Sequence, residues 1–182
     1  MSFHYEARFA AIGGQGIITA GAFLATAATL EGKYATQSPT YTSQVRGGPT
    51  KVDVIISDEE ILFPKGNRLD LFLAMAQKPY DLYYSELKSN SLVIVEENLV
   101  KKVHDDGHQI IRVPIIELAE KEIGLAVTIS VIATGLVVAL TDIVKPDTMQ
   151  RAILSRVPKG TEALNMKAFQ LGLDVGLKLK EE

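Results

Sequence analysis

Short apolar runs alternate with longer small-residue or amphipathic stretches along most of this chain. Residues 9–12 are apolar and predict a first strand over about 8–12, and residues 17–30 predict an apolar helix that ends at Glu31-Gly32-Lys33, with Gly32 as its C-cap. A short strand follows at 34–37. Residues 50–57 alternate, with Val52, Val54 and Ile56 on one side and Lys51, Asp53 and Ile55 on the other, which predicts another strand. Further strands are predicted at 70–75, 91–95 and 109–113, with a helix at 79–87 and a turn at Asp105-Asp106-Gly107. Helical patterns occupy 117–123, 127–144, 147–156 and 161–180. Gly172 and Gly176 in the last of these argue against a straight helix. The strands are mostly apolar on both faces, as central strands between helical layers are. The expected fold is α/β: one three-layer α/β/α domain over residues 1–182, with a mostly parallel or mixed sheet and a helical C-terminal part.

Composition narrows the function. With 19 basic and 22 acidic residues the net charge is −3, so no basic surface for nucleic acid is implied. There is no cysteine, which excludes disulfides, a catalytic thiol and any iron–sulfur cluster held by this chain's own thiolates. His4, His104 and His108 are too scattered for a metal site and read as solvated. The uncharged stretch 125–141 falls short of the ~20 residues a spanning helix needs and carries Thr128, Ser130, Thr134 and Gly135. A buried helix and a soluble, cytoplasmic protein without membrane contact are expected. Tyr80, Tyr83 and Tyr84 read as packing residues, and Asp58-Glu59-Glu60 as a solvated link.

Two stretches could carry chemistry. Gly13-Gly14-Gln15-Gly16 joins the first strand to the first helix, and such a turn presents backbone N–H groups and a positive helix end to an anion. It reads Ala-x-Gly-x-x-Gly, with Ala11 in place of the first glycine of a dinucleotide fingerprint, so alone it also fits a tight turn with no ligand. Residues 37–49 form a hydroxyl-rich loop holding Thr40, Ser43, Gln44 and Arg46, followed by Gly47 and Gly48. Arg46 offers a guanidinium fork suited to phosphate or carboxylate. A loop that follows the second strand of a parallel sheet lies at its carboxyl edge, beside the glycine turn, where such sheets bind ligands.

Taken together, Gly13-Gly14-Gln15-Gly16-Ile17-x-x-Ala20-Gly21, Glu31-Gly32-Lys33-Tyr34, Gln44-Val45-Arg46-Gly47-Gly48 and Asp53-Val54-Ile55-Ile56-Ser57 closely resemble the gamma subunit, or gamma domain, of the 2-oxoacid:ferredoxin oxidoreductases. Later blocks, Asp70-Leu71-Phe72-Leu73-Ala74-Met75 and Ala163-Leu164-Asn165-Met166-Lys167-Ala168-Phe169, extend the resemblance along most of the chain. Ser38-Pro39-Thr40-Tyr41 looks most like the 2-oxoglutarate branch. The resemblance implies a multi-subunit enzyme that oxidatively decarboxylates a 2-oxoacid with coenzyme A to acyl-CoA, carbon dioxide and reduced ferredoxin. It implies alpha and beta partner subunits, with a ferredoxin-like delta subunit or free ferredoxin. Thiamine diphosphate, magnesium and iron–sulfur clusters would sit on those partners. No residue of this chain would be catalytic alone. Gly13, Gly14, Gln15, Gly16, Thr40, Ser43, Gln44, Arg46, Gly47 and Gly48 would contribute to coenzyme A binding.

Two departures stand out. Family members usually have glycine at the position of Ala11, where a methyl group could narrow the approach of a phosphate, and the family's pattern is poorly matched around 124–130. Two other functions compete: a subunit that serves assembly only, in this or a pyruvate- or indolepyruvate-type complex, and a stand-alone Rossmann-like nucleotide-binding protein. The second lacks the acidic residue that should close strand two, since Gln37-Ser38 stands there.

Overall fold

The computed structural model describes residues 2–40 and 47–181. The strands are β1 (His4–Ile12), β2 (Tyr34–Thr40), β3 (Pro49–Ser57), β4 (Leu69–Ala74), β5 (Leu87–Glu96) and β6 (Gln109–Val113). The helices are α1 (Ile17–Leu30), α2 (Gln77–Tyr83), α3 (Ile115–Leu118), α4 (Ile129–Thr141), α5 (Pro146–Leu154) and α6 (Glu162–Glu181). A π turn, Ala119–Ile123, takes up most of the helical segment expected at 117–123, and a 3-10 turn, Ala126–Thr128, stands at the start of the one expected at 127–144.

The sheet has six strands in the order β2-β3-β1-β4-β5-β6 and is mixed. β1, β4, β5 and β6 are parallel, whereas β3 is antiparallel to both β1 and β2. Because β3 opposes both neighbours, β2 points the same way as β1. The carboxyl ends of β1, β2, β4, β5 and β6 therefore share one edge, and the β2–β3 connection returns beside the glycine turn as expected. It does so as a hairpin and not as a parallel crossover.

Strand alternation assigns the two faces. Ala7, Phe9 and Ala11 of β1 lie with Val52, Val54, Ile56, Leu71, Leu73 and Ile94 in the larger core, under α1, α4, α5 and α6. The opposite face packs Phe72, Ala74, Val93 and Val95 against Tyr80 of α2 and Val100. The three layers are thus lopsided, with one short helix and loops forming the third. Ala11 is fully buried in the larger core, so its methyl is taken up by packing under the helices.

Close backbone approach organises the helical layer. A Cβ on Gly21 would lie 2.8 Å from Val52 Cγ1, so this glycine lets α1 sit on β3. α4 and α6 meet through Gly135, Gly172 and Gly176. A Cβ on Gly172 would lie 2.9 Å from the Ile132 carbonyl carbon and 3.0 Å from its Cα. The two glycines that argued against a straight α6 are where it touches α4, and the helix runs unbroken from Glu162 to Glu181.

Three boundaries moved for identifiable reasons. Ser38-Pro39-Thr40 read as loop but extend β2, because β3 supplies partners as far as Thr40 opposite Lys51. β2 is an edge strand, where proline is tolerated. The helix expected to reach 87 stops at Tyr83, and Leu87 already belongs to β5. β5 begins four residues earlier than its apolar run, with Leu87 pairing to Leu69 before a register shift.

Candidate functional site

The glycine turn is built by β1 running into α1. Gly14 has φ +105° and Gly16, the N-cap of α1, has φ +74°, values that L side chains rarely adopt. A Cβ on Gly14 would meet nothing within 4 Å, so backbone geometry and not crowding calls for glycine there. Gln15 closes the turn on itself: its N–H donates to the Ile12 carbonyl at 3.1 Å, and its side-chain Oε1 accepts the Ile12 N–H at 2.8 Å. Among the described residues no side chain caps α1, and no acid lies in its first turn. The positive end of a fourteen-residue helix therefore faces outward beside exposed Gly14 and Gly16.

The β2–β3 connection is tied to this turn through the backbone. The Gly13 N–H donates to the Gly48 carbonyl at 2.8 Å, and the Gly47 N–H donates to the Gly13 carbonyl at 3.4 Å. Thr40 ends β2 with an exposed side chain, and its carbonyl accepts the Thr50 hydroxyl at 2.8 Å. Gly13, Gly14, Gln15, Gly16, Thr40, Gly47 and Gly48 thus gather at one edge of the sheet. Ser43, Gln44 and Arg46 lie outside the described residues. The uncapped helix end and open glycine surface fit an anionic group such as a phosphate. Among the described residues no cluster of three or more His, Asp or Glu could hold a metal ion.

A buried charge cluster went unread in the sequence. Arg8 is 2 % exposed and Asp53 1 %. Arg8 donates to both Asp53 oxygens, at 2.7 and 3.1 Å, to Glu86 at 2.6 Å and to the Gly66 carbonyl at 3.2 Å. Lys51 adds a contact to Asp53 at 2.9 Å. Burial by itself would raise the Asp53 carboxyl, but the bonds and charge of Arg8 and Lys51 outweigh it and hold the group below the ordinary carboxylate range. Nearby, Glu6 accepts the Asn67 and Arg68 N–H groups at 2.7 and 2.8 Å and pins the loop before β4. The available signal was Glu6 and Arg8 alternating with Ala7 and Phe9, two charges on one face of a buried strand.

The histidines are not all solvated. His4 and His104 are exposed, as expected, with the His104 ring beside Tyr80 and Tyr84 at centroid distances of 5.8 and 4.5 Å, whereas the His108 side chain is only 12 % exposed. Tyr84 donates to the Asp106 carboxylate at 2.8 Å. Burial first, and then the negative Asp106, push its phenol well above the ordinary range. The tyrosines do pack, as expected, with Tyr80 against Phe72 and Tyr84.

An α/β fold with an anion-ready glycine turn at the carboxyl edge of its sheet defines a ligand- or partner-binding α/β domain. Residues 6–175 match the model of the pyruvate ferredoxin/flavodoxin oxidoreductase family, and the chain belongs to that family. It is 39% identical over 177 residues to the 2-oxoglutarate synthase subunit KorC of Methanocaldococcus jannaschii, covering 96% of this chain and 95% of that one. Among solved structures it resembles the keto/oxoacid ferredoxin oxidoreductase gamma subunit from Geobacter sulfurreducens, with TM-score 0.88, 38% identity and coverage of 97% and 98%. It also shares the fold of part of the 2-oxoglutarate:ferredoxin oxidoreductase from Magnetococcus marinus, solved with 2-oxoglutarate, coenzyme A and succinyl-CoA bound. That match has TM-score 0.83 and 21% identity, and covers 97% of this chain and 31% of the other. These relatives are subunits or parts of oxidoreductase complexes. No helix among the described residues is long and apolar enough to cross a membrane.

Proposed function

We propose that this chain is the gamma subunit of a cytoplasmic 2-oxoacid:ferredoxin oxidoreductase acting on 2-oxoglutarate, and that it contributes to coenzyme A binding and assembly. The observation that carries the reading is the end-to-end similarity to KorC and gamma subunits. Residues 1–182 act as one domain beside alpha and beta subunits, which hold thiamine diphosphate, magnesium and iron–sulfur clusters and supply decarboxylation and electron transfer. The chain's own part is to bind and orient. Backbone N–H groups of Gly14 and Gly16 at the head of α1 receive a phosphate of coenzyme A, and Gly13, bonded to Gly47 and Gly48, holds the turn against the hairpin. Thr40, Ser43, Gln44 and Arg46 complete the site from the hairpin loop, with Gly47 and Gly48 letting its backbone come close.

The test is Arg46→Ala in the assembled complex. A charge-assisted phosphate contact contributes roughly 1.5–3 kcal/mol, so KM for coenzyme A should rise about tenfold or more, with subunit composition retained. An unchanged KM refutes the coenzyme A role and leaves the assembly-only reading. One observation favours that second reading: Gln15, part of the family signature, has its Oε1 committed to the Ile12 N–H and serves the turn itself.

A further inference from the structure

The sheet ends on two open edges, and they are built differently. β6 has five residues and exposes Arg112, a charge of the kind that discourages pairing with another strand. β2 has seven residues, none of them charged, and among the described residues it pairs with β3 alone. Its one guard is Pro39, which offers no N–H and leaves Tyr34 to Ser38 as a free stretch. The outward N–H and C=O groups along that stretch form a template for an added strand.

A groove of ≈ 460 Å³ lies beside this edge, between β2 and α1. Thr26, Thr29 and Ala35 line it with small side chains, and Leu30 and Tyr34 stand exposed, at 49 % and 54 %, where α1 passes into β2. Arg156, just beyond α5, also lines it. This side chain is exposed and its Nε donates to the Thr26 hydroxyl at 3.1 Å. Among the described residues no acid lines the groove or pairs with Arg156.

A strand added to a sheet edge gains affinity from main-chain hydrogen bonds and specificity from alternate side chains that enter flanking pockets. The small walls and the lone cation define what enters here, a slender side chain that ends in a carboxylate. A second copy of this chain does not supply it. β2 carries no acid, and two β2 edges paired about a two-fold axis would merge their grooves and set one Arg156 toward the other.

We propose that the open edge of β2 receives an extended segment of a partner subunit, whose aspartate or glutamate side chain enters the groove between α1 and β2 and pairs with Arg156. This rests on the reading of the chain as a complex subunit. The test compares backbone hydrogen exchange of the separate chain with that of its complex with co-expressed alpha and beta subunits. The outward amides within residues 34–38 should slow about tenfold or more on assembly. Arg156→Glu should weaken association about tenfold or more, with a larger effect at low salt than at high salt and the melting temperature of the separate chain retained. Unchanged exchange at 34–38 overturns the edge proposal alone, even where Arg156→Glu weakens association, since Arg156 is then an ordinary interface charge. Protection at 34–38 with Arg156→Glu silent removes the acidic occupant and also overturns it. Protection of the same amides in a homodimer of the separate chain makes a second copy the occupant, and overturns it likewise. Failure of the wild-type chain to associate with alpha and beta subunits overturns the subunit reading with it.

Discussion

Gly172→Ala should destabilise the chain, although helix propensity alone predicts the reverse. Alanine in the interior of a helix is favoured over glycine by about 1 kcal/mol. At this position the added methyl meets the backbone of α4, lying 2.9 Å from the Ile132 carbonyl carbon and 3.0 Å from its Cα. Carbon atoms pack at about 3.5–4.0 Å, and backbone atoms cannot rotate aside, so α4 and α6 must part by roughly 0.5–1 Å. Overpacking of this kind costs about 1–3 kcal/mol. The upper end applies because the seam is also held close at Gly135 and Gly176. Subtracting the propensity gain leaves a net loss of about 2 kcal/mol, or a melting temperature lower by about 4–8 °C for a chain of this length. Thermal and urea unfolding of the two proteins measure it directly. A melting temperature unchanged or raised would refute the close-packed seam. An independent check lies one turn along, where a Cβ on Gly176 would sit 2.6 Å from Ala139 Cβ. Gly176→Ala should lose stability that the added Ala139→Gly partly restores, since the second change makes room for the new methyl.

The other perturbations act on charge. Asp53→Asn leaves Arg8 buried with Glu86 as its remaining anion, and breaking such a pair costs about 3–5 kcal/mol, read as a lower urea midpoint. The same carboxyl sets a pH dependence. Because its folded pKa is depressed, its stabilisation is complete above the ordinary value of about 3.9 and is lost as pH falls through the folded value. The urea midpoint of the wild type should therefore fall with acid below about pH 4, more steeply than that of Asp53→Asn. Burial, with Asp70 adding to it, also raises the Tyr5 phenol, and burial with Asp106 raises Tyr84. In a near-ultraviolet titration of the folded protein, Tyr84→Phe should remove no phenolate signal at about pH 11, and a lost signal there would contradict the Tyr84–Asp106 contact.

What could be read from the order of residues depended on how local its cause was. The elements followed from apolar periodicity, and the glycine turn from a strand–glycine–helix succession, because both are set within a dozen residues. Strand direction is not local. Alternation in β3 is identical whether it runs with β1 or against it, so the mixed sheet was not fixed by the pattern of Val52, Val54 and Ile56. Ser38-Pro39-Thr40 has turn-forming chemistry and becomes strand only because Val52 and Lys51 offer it a ladder.

The same distinction separates the glycine turn from the buried charge cluster. Arg8 and Asp53 are 45 positions apart and meet because β1 and β3 pair in a register that sets Arg8 opposite Asp53. Glu86 joins them from beyond α2. No spacing rule connects three such residues. Their signature in sequence is instead a charge where a buried strand should carry an apolar side chain, and it appears three times, at Glu6, Arg8 and Asp53. Glu96 repeats it at the end of β5 with a difference that matters. The first three have partners for their buried charge within the chain, whereas Glu96 has one oxygen bonded and one without a partner among the described residues. A charge kept in a core and satisfied there organises the fold.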